Sequence, residues 1–157
     1  MRIERLGQPG VVLFTPDVYK DHRGYFTETF NPHFGFKAVQ ANQSFSRKGT
    51  VRGLHFQDPP TAKLVWVSSG AILDVAFNLK TGEYCTQELR AETPQCILIP
   101  KGYAHGFQAL EDSTVHYLMD VPFSPNGDHG INPSIVKWPV SPMFMSDKDK
   151  DAPQFYR

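Results

Sequence analysis

The stretch Ile99-Pro100-Lys101-Gly102-Tyr103-Ala104-His105-Gly106-Phe107 decides how this chain reads. Proline and glycine at this spacing make a turn, and the turn delivers His105 onto the strand that follows. An apolar run, Gln95 to Ile99, leads in, and another, Gly106 to Leu110, leads out. The same grammar recurs in both directions. Short apolar runs lie at Val11 to Phe14, Ala38 to Ala41, Thr50 to Gln57, Lys63 to Ser68, Ala71 to Leu79 and Thr114 to Met119. Turn signals such as Asp21-His22-Arg23-Gly24, Arg47-Lys48-Gly49, Asp58-Pro59-Pro60 and Ser68-Ser69-Gly70 separate them. Regular strand-and-turn spacing of this kind predicts an all-β sandwich or barrel. Helical pattern is confined to Asn31 to Phe36 and to Ser146 to Asp151, with Ser146 as the cap of the second.

Composition agrees with a globular chain. Its 157 residues suffice for one domain, expected to span 1–157, and 40% are hydrophobic against 20% charged. Formal net charge is zero, so no overall field draws the chain to nucleic acid or to an anionic membrane. No apolar run has the length of a membrane span, and the first residues lack a signal-peptide pattern, so a soluble, cytoplasmic protein is expected. Cys85 and Cys96 are read as reduced packing residues.

Charges inside apolar strands are the next signal. Lys63 sits with Leu64, Val65, Trp66 and Val67, and Asp74 with Ile72, Leu73, Val75 and Ala76. Either residue alone reads as a strand-end charge reaching solvent or as a group aimed into a polar cavity. His55, mid-strand in Arg52-Gly53-Leu54-His55-Phe56-Gln57, is by itself more often a satisfied core residue than a catalyst. Three such strands together favour a polar-lined barrel interior. Arg52 offers a bidentate clamp for phosphate, although strict alternation puts it on the opposite face from His55. Gly53 between them is a place for a bulge that re-aims one of the two.

The Pro-x-Gly-x-x-His element resembles one carried by the cupin superfamily. Metal-binding cupins also have a His-x-His pair on an earlier strand; here that strand reads His55-Phe56-Gln57, so a cupin barrel without a metal is expected. Further stretches resemble the dTDP-4-dehydrorhamnose 3,5-epimerase family, in family order and over nearly the whole chain. They include Asp21-x-Arg23-Gly24-x-Phe26-x-Glu28, Gln40-x-Asn42-x-Ser44, Arg52-Gly53-Leu54-His55-Phe56-Gln57, Pro100-x-Gly102-x-Ala104-His105-Gly106-Phe107 and Ser146-x-Lys148-Asp149.

The resemblance implies a cupin-type double-stranded β-helix, a jelly-roll barrel with short peripheral helices. It implies an epimerase that inverts C3, C5 or both in a nucleotide-linked 4-keto-6-deoxy sugar, without a cofactor, supplying deoxysugars for products such as polysaccharides. His55 takes the place of the general base, Asp149 of its dyad partner, Lys63 of the enolate stabiliser and Tyr117 of the acid on the opposite face. Without the resemblance, Asp149 is a solvated turn residue in an acidic run and Tyr117 an ordinary strand tyrosine. Arg23, Phe26 and Glu28 are implied to lie on an N-terminal strand exchanged within a homodimer, where they hold the nucleotide diphosphate in the partner's site. Gln40, Asn42 and Arg52 add polar contacts, and His105 and Asp74 lie near the sugar.

The chain departs from the family pattern at Thr81 to Thr86, which is shorter, and at Asn78, Lys80, Phe123 and Asn132. Phe123, where a tyrosine is common, bears on whether both carbons react. A 3,4-ketoisomerase and a non-catalytic sugar-nucleotide-binding cupin are the competing readings.

Overall fold

The computed structural model describes residues 1–156. Thirteen strands run in chain order: β1 Arg2–Arg5, β2 Val12–Thr15, β3 Val18–Asp21, β4 Gly24–Thr27, β5 Gln40–Ser46, β6 Val51–Gln57 and β7 Lys63–Ser69. They continue as β8 Ala71–Asn78, β9 Tyr84–Arg90, β10 Cys96–Ile99, β11 Tyr103–Ala109, β12 Ser113–Met119 and β13 Asp128–Gly130. A six-stranded sheet has the order β1-β2-β10-β7-β12-β5, and a five-stranded sheet the order β13-β6-β11-β8-β9. The named pairs are antiparallel. This is the expected all-β, cupin-type architecture.

The two sheets face each other, and alternation decides what lies between them. Val65, Val67 and Val115 from one sheet meet Ile72, Ala76, Leu89 and Phe107 from the other in a dry cluster. Full burial of each such side chain contributes roughly 1.5–3 kcal/mol. One register further along the same inward faces the residues turn polar: Lys63 follows from Val65, Tyr117 from Val115 and His105 from Phe107. The sandwich is therefore oil at one end and a polar cavity at the other.

The short peripheral elements are single turns. A 3-10 turn at Pro32–Phe34 lies within the stretch expected to be helical. Proline there presets φ but removes a donor, and Gly35 follows in the left-handed conformation, so the helix cannot extend. Phe34 stacks on Phe14 at 4.7 Å, which covers part of the outer face of the six-stranded sheet. The second helix, α1, covers Asp147–Lys150, with Ser146 as its cap.

Strand positions differ from the sequence expectation where strands are polar. The run Ala38 to Ala41 only touches β5, whose body is Gln40–Ser46. The hairpin β3–β4 turns at His22-Arg23 and pairs with neither sheet. Cys85 and Cys96 are both free thiols, and burial pushes Cys96 up to about 12. Among the described residues, no helix is long and apolar enough to cross a membrane.

Candidate active site

The polar end of the sandwich opens as a chamber of about 580 Å³, with His55 and Arg52 on one wall and Lys63 and Tyr117 on the other. A smaller lobe of about 130 Å³ shares His55, Lys63, Tyr117 and Lys148 with it. Four residues distant in sequence thus border both spaces, because the two sheets supply opposing walls and α1 adds Lys148.

Arg52 and His55 share this cavity through a bulge, which overturns the strict-alternation expectation. On β11, one residue lies between His105 and Phe107; on β6, two lie between their partners His55 and Arg52. The extra residue at Gly53-Leu54 restores both side chains to one face. Gly53 has φ +117°, and a Cβ there would lie 2.6 Å from Gly106 Cα and 2.7 Å from the His105 carbonyl oxygen. Glycine is required by both conformation and space.

His55 Nε2 lies 2.6 Å from Asp149 Oδ1. The other carboxylate oxygen, Oδ2, accepts the Gly53 N–H at 3.1 Å. Asp149 is held there by local structure: its backbone N–H donates to the Ser146 hydroxyl at 3.2 Å, while Asn132 Nδ2 donates to the Lys150 carbonyl at 2.8 Å. Burial alone raises the Asp149 carboxyl, but the hydrogen bond and charge of His55, the Gly53 N–H and Ser146 together hold it below the ordinary aspartate range. With the Nε2 proton donated to this carboxylate, Nδ1 carries the imidazole lone pair. Nδ1 has no protein hydrogen-bond partner among the described residues.

Lys63 reaches into the cavity with Nζ 5.8 Å from the Tyr117 ring centre. Burial pushes it down to about 8, and the charges of Asp74 and Asp128 oppose that fall. Burial also raises the Tyr117 phenol, with Arg52 working against the rise and Asp128 with it. A tyrosine kept protonated and a lysine near its titration point face a histidine whose carboxylate partner is ionised. This set can remove a proton on one side of a bound carbonyl compound, hold the oxygen of the enolate and return a proton from the other side.

Arg52 is oriented at the mouth by Ser46 Oγ, 2.9 Å from its Nε, and by the Phe45 carbonyl, 3.0 Å from Nη2. Its remaining N–H groups are free for an anion. His105, opposite His55 in register, pairs through Nε2 with Asp74 Oδ2 at 2.8 Å, and Asp74 is fully buried.

The other sequence candidates lie elsewhere in the chain. Arg23, Phe26 and Glu28 are on or beside the exposed hairpin, and Arg23 is engaged with Asp21 at 2.6 Å. Gln40 and Asn42, on the inward side of β5, do not border the chamber. They bond each other at 3.0 Å, and Gln40 accepts the Phe123 N–H at 2.8 Å. Gln57 spends its amide on the carbonyls of Pro59 and Pro122 and on the Ser124 N–H. Among the described residues, no three His, Cys, Asp or Glu side chains converge as a metal-binding group.

Three residues without a sequence-derived role also border the cavity. Ser44 Oγ is buried with no hydrogen-bond partner among the described residues. Lys148 and Asp128 form an ion pair in the smaller lobe. Ser44 was visible as a hydroxyl on a polar strand; the ion pair had no local signal at all.

Comparison with known proteins matches this arrangement. The family model for dTDP-4-dehydrorhamnose 3,5-epimerase matches residues 5–157. A dTDP-4-dehydrorhamnose 3,5-epimerase of Methanothermobacter thermautotrophicus is 40% identical over 162 residues, covering 90% of this chain and 88% of that protein. The crystal structure of the enzyme of that name from Sulfolobus tokodaii superimposes with a TM-score of 0.93 at 41% identity, covering 98% and 94% of the two chains. An epimerase structure from Legionella pneumophila, in complex with dTDP-4-keto-L-rhamnose, gives a TM-score of 0.90 at 30% identity, covering 98% and 92%. The chain belongs to the dTDP-4-dehydrorhamnose 3,5-epimerase family.

Proposed function

We propose that this epimerase inverts C3, C5 or both of a dTDP-linked 4-keto-6-deoxy sugar, with His55 as base, Tyr117 as acid and Lys63 holding the enolate oxygen. The observation that carries this reading is the placement of His55 and Tyr117 on opposing sheets, with Lys63 beside Tyr117. Inversion next to a carbonyl needs a base on one ring face and an acid on the other. The ketone makes the flanking C–H bonds acidic enough for histidine, provided negative charge on the enolate oxygen is met by an ammonium. Asp149 fixes the tautomer of His55, as carboxylates do in other histidine bases.

Arg52 and the hydroxyl of Ser44 are suited to the diphosphate or ring hydroxyls. His105, steadied by Asp74, faces the sugar. We further propose a homodimer in which the β3–β4 hairpin crosses to the neighbouring subunit. The hairpin's separation from both sheets and the exposure of Tyr19, Tyr25 and Phe26 support this, since such aromatics seek a cover. Arg23, Phe26 and Glu28 then complete the partner's nucleotide site, with Gln40 and Asn42 at its edge. The decisive experiment is deuterium incorporation from heavy water into dTDP-4-keto-6-deoxyglucose, followed by NMR. Exchange at C3, at C5 or at both defines the reaction; binding without exchange would replace the epimerase reading by a binding module.

A further inference from the structure

Two carboxylates border the cavity, Asp149 in the chamber and Asp128 in the lobe, and a third, Asp74, is buried behind the wall; they are not equivalent. Asp74 is paired with His105 and Asp149 with His55, both through buried oxygens. Asp128 is paired with Lys148; the lysine side chain is 54% exposed and that of Asp128 18%. Asp128 stands on β13 opposite Gln57, two residues from the Gly130–His55 pair, so its side chain shares the inward face with His55. It lines the lobe that Lys63 and Tyr117 also line, and Lys148 borders both that lobe and the main chamber.

Lys63 therefore faces a fixed set of charges and one adjustable charge. On its own sheet, Tyr117 lies beside it. From the facing sheet come His55, Arg52 and the His105–Asp74 pair, and from α1 the Asp149 carboxylate, already committed to His55. The adjustable charge is that of Asp128, because Lys148 can leave it for solvent or for an anion in the chamber. More than half of the Lys148 side chain is exposed, so water and solution anions compete with Asp128 for its ammonium.

We propose that Asp128 is a positioning residue acting through Lys63, supplying the counter-charge that keeps its ammonium available for the enolate oxygen, and that Lys148 regulates this by pairing with Asp128. The inference rests on the role given to Lys63 above. It adds a direction of coupling: a diphosphate that draws Lys148 away leaves Asp128 facing Lys63 alone, so occupancy of the chamber reinforces the charge the reaction needs. Burial alone works against that charge, and the Asp128 carboxylate opposes burial.

The test follows the titration of Lys63 directly, by NMR of the full chain carrying carbon-13 lysine, with Lys63→Met to assign the signal. Asp128→Asn is expected to lower the Lys63 midpoint by roughly 0.5–1 pH unit, Asp128→Glu to restore it, and Lys148→Met to raise it. The basic limb of kcat/KM for proton exchange should move in the same directions, so that Asp128→Asn loses more activity at pH 8.5 than at pH 6.5. Unmoved midpoints in Asp128→Asn and Lys148→Met, with equal rate losses at all pH values, would reduce the pair to a latch on α1 and overturn the proposal. Circular dichroism of each variant separates this from unfolding. Displaced midpoints in a protein that exchanges no substrate proton would support the electrostatic coupling while removing the epimerase reading, so the two failures are distinguishable.

Discussion

His55 and Asp149 stand 94 residues apart in the chain and meet at 2.6 Å between Nε2 and Oδ1. The same carboxylate holds the Gly53 N–H, so one side chain fixes both the imidazole and the bulge that aims it. Asp149→Asn keeps the shape and loses the charge. It should lower kcat for substrate proton exchange by about 10²–10⁴-fold, with KM little changed, as expected for loss of the correct tautomer. Steady-state kinetics with the purified variant checks this; a loss below about fivefold would show that His55 does not depend on Asp149.

Gly53→Ala places a Cβ against Gly106 and the His105 carbonyl at a backbone angle that L-residues rarely adopt. The expected cost is about 2–4 kcal/mol, read as a lower midpoint in urea unfolding. Arg52 and His55 should lose their common aim, so activity of any folded fraction falls as well. Unchanged stability would mean that the bulge relaxes freely.

Lys63→Met should make the protein more stable and inactive. Folding lowers the lysine from 10.5 to about 8, so burying its charge costs stability in full below pH 8. That cost fades as pH rises from about 8 to about 10.5, where the unfolded lysine also loses its proton, and vanishes above. Methionine removes it, for a gain of roughly 1–3 kcal/mol at pH 7 that shrinks towards pH 10.5. Chemical denaturation at pH 7 and pH 10 measures both values. Destabilisation at pH 7 would show that the ammonium is held by better partners than Asp74 and Asp128.

These cases show what the amino-acid sequence made visible and what it did not. The strands from Val51 to Asn78 were legible because apolar residues dominate them, and Lys63, Asp74 and His55 stood out against that background. β1, with every residue exposed, and β9, mostly polar apart from the buried Leu89, carry little such contrast; pairing with β2 and β8 makes them strands. β13 is three residues recruited by β6. β5 reads backwards, since the polar Gln40, Asn42 and Ser44 face inward, although of these three only Ser44 borders the chamber. Asp149 in its acidic run had no local mark of function, and only the family resemblance picked it out. The resemblance touched Lys148 without giving it a role and passed over Asp128, because their relation exists only once α1 and β13 are folded beside each other.

The shared-site proposal makes a quantitative prediction. Arg23→Ala and His55→Ala each inactivate every site of their own homodimers. A mixed dimer regains one complete site, with His55 from one subunit and Arg23 from its partner. Unfolding and refolding the two variants together at equal concentration should restore about one quarter of wild-type activity. Activity no greater than the sum of the separate variants would place Arg23 in its own subunit's site or in none.

The most direct test of the central claim is NMR of dTDP-4-keto-6-deoxyglucose in heavy water with His55→Ala and Tyr117→Phe beside the wild type. The account predicts deuterium incorporation by the wild type and none by His55→Ala, with dTDP binding retained by calorimetry. It predicts that Tyr117→Phe still exchanges a substrate proton but returns it from the same face, without inversion. Exchange at the wild-type rate in His55→Ala would contradict the assignment of His55 as base, and with it the mechanism built on the opposing sheets.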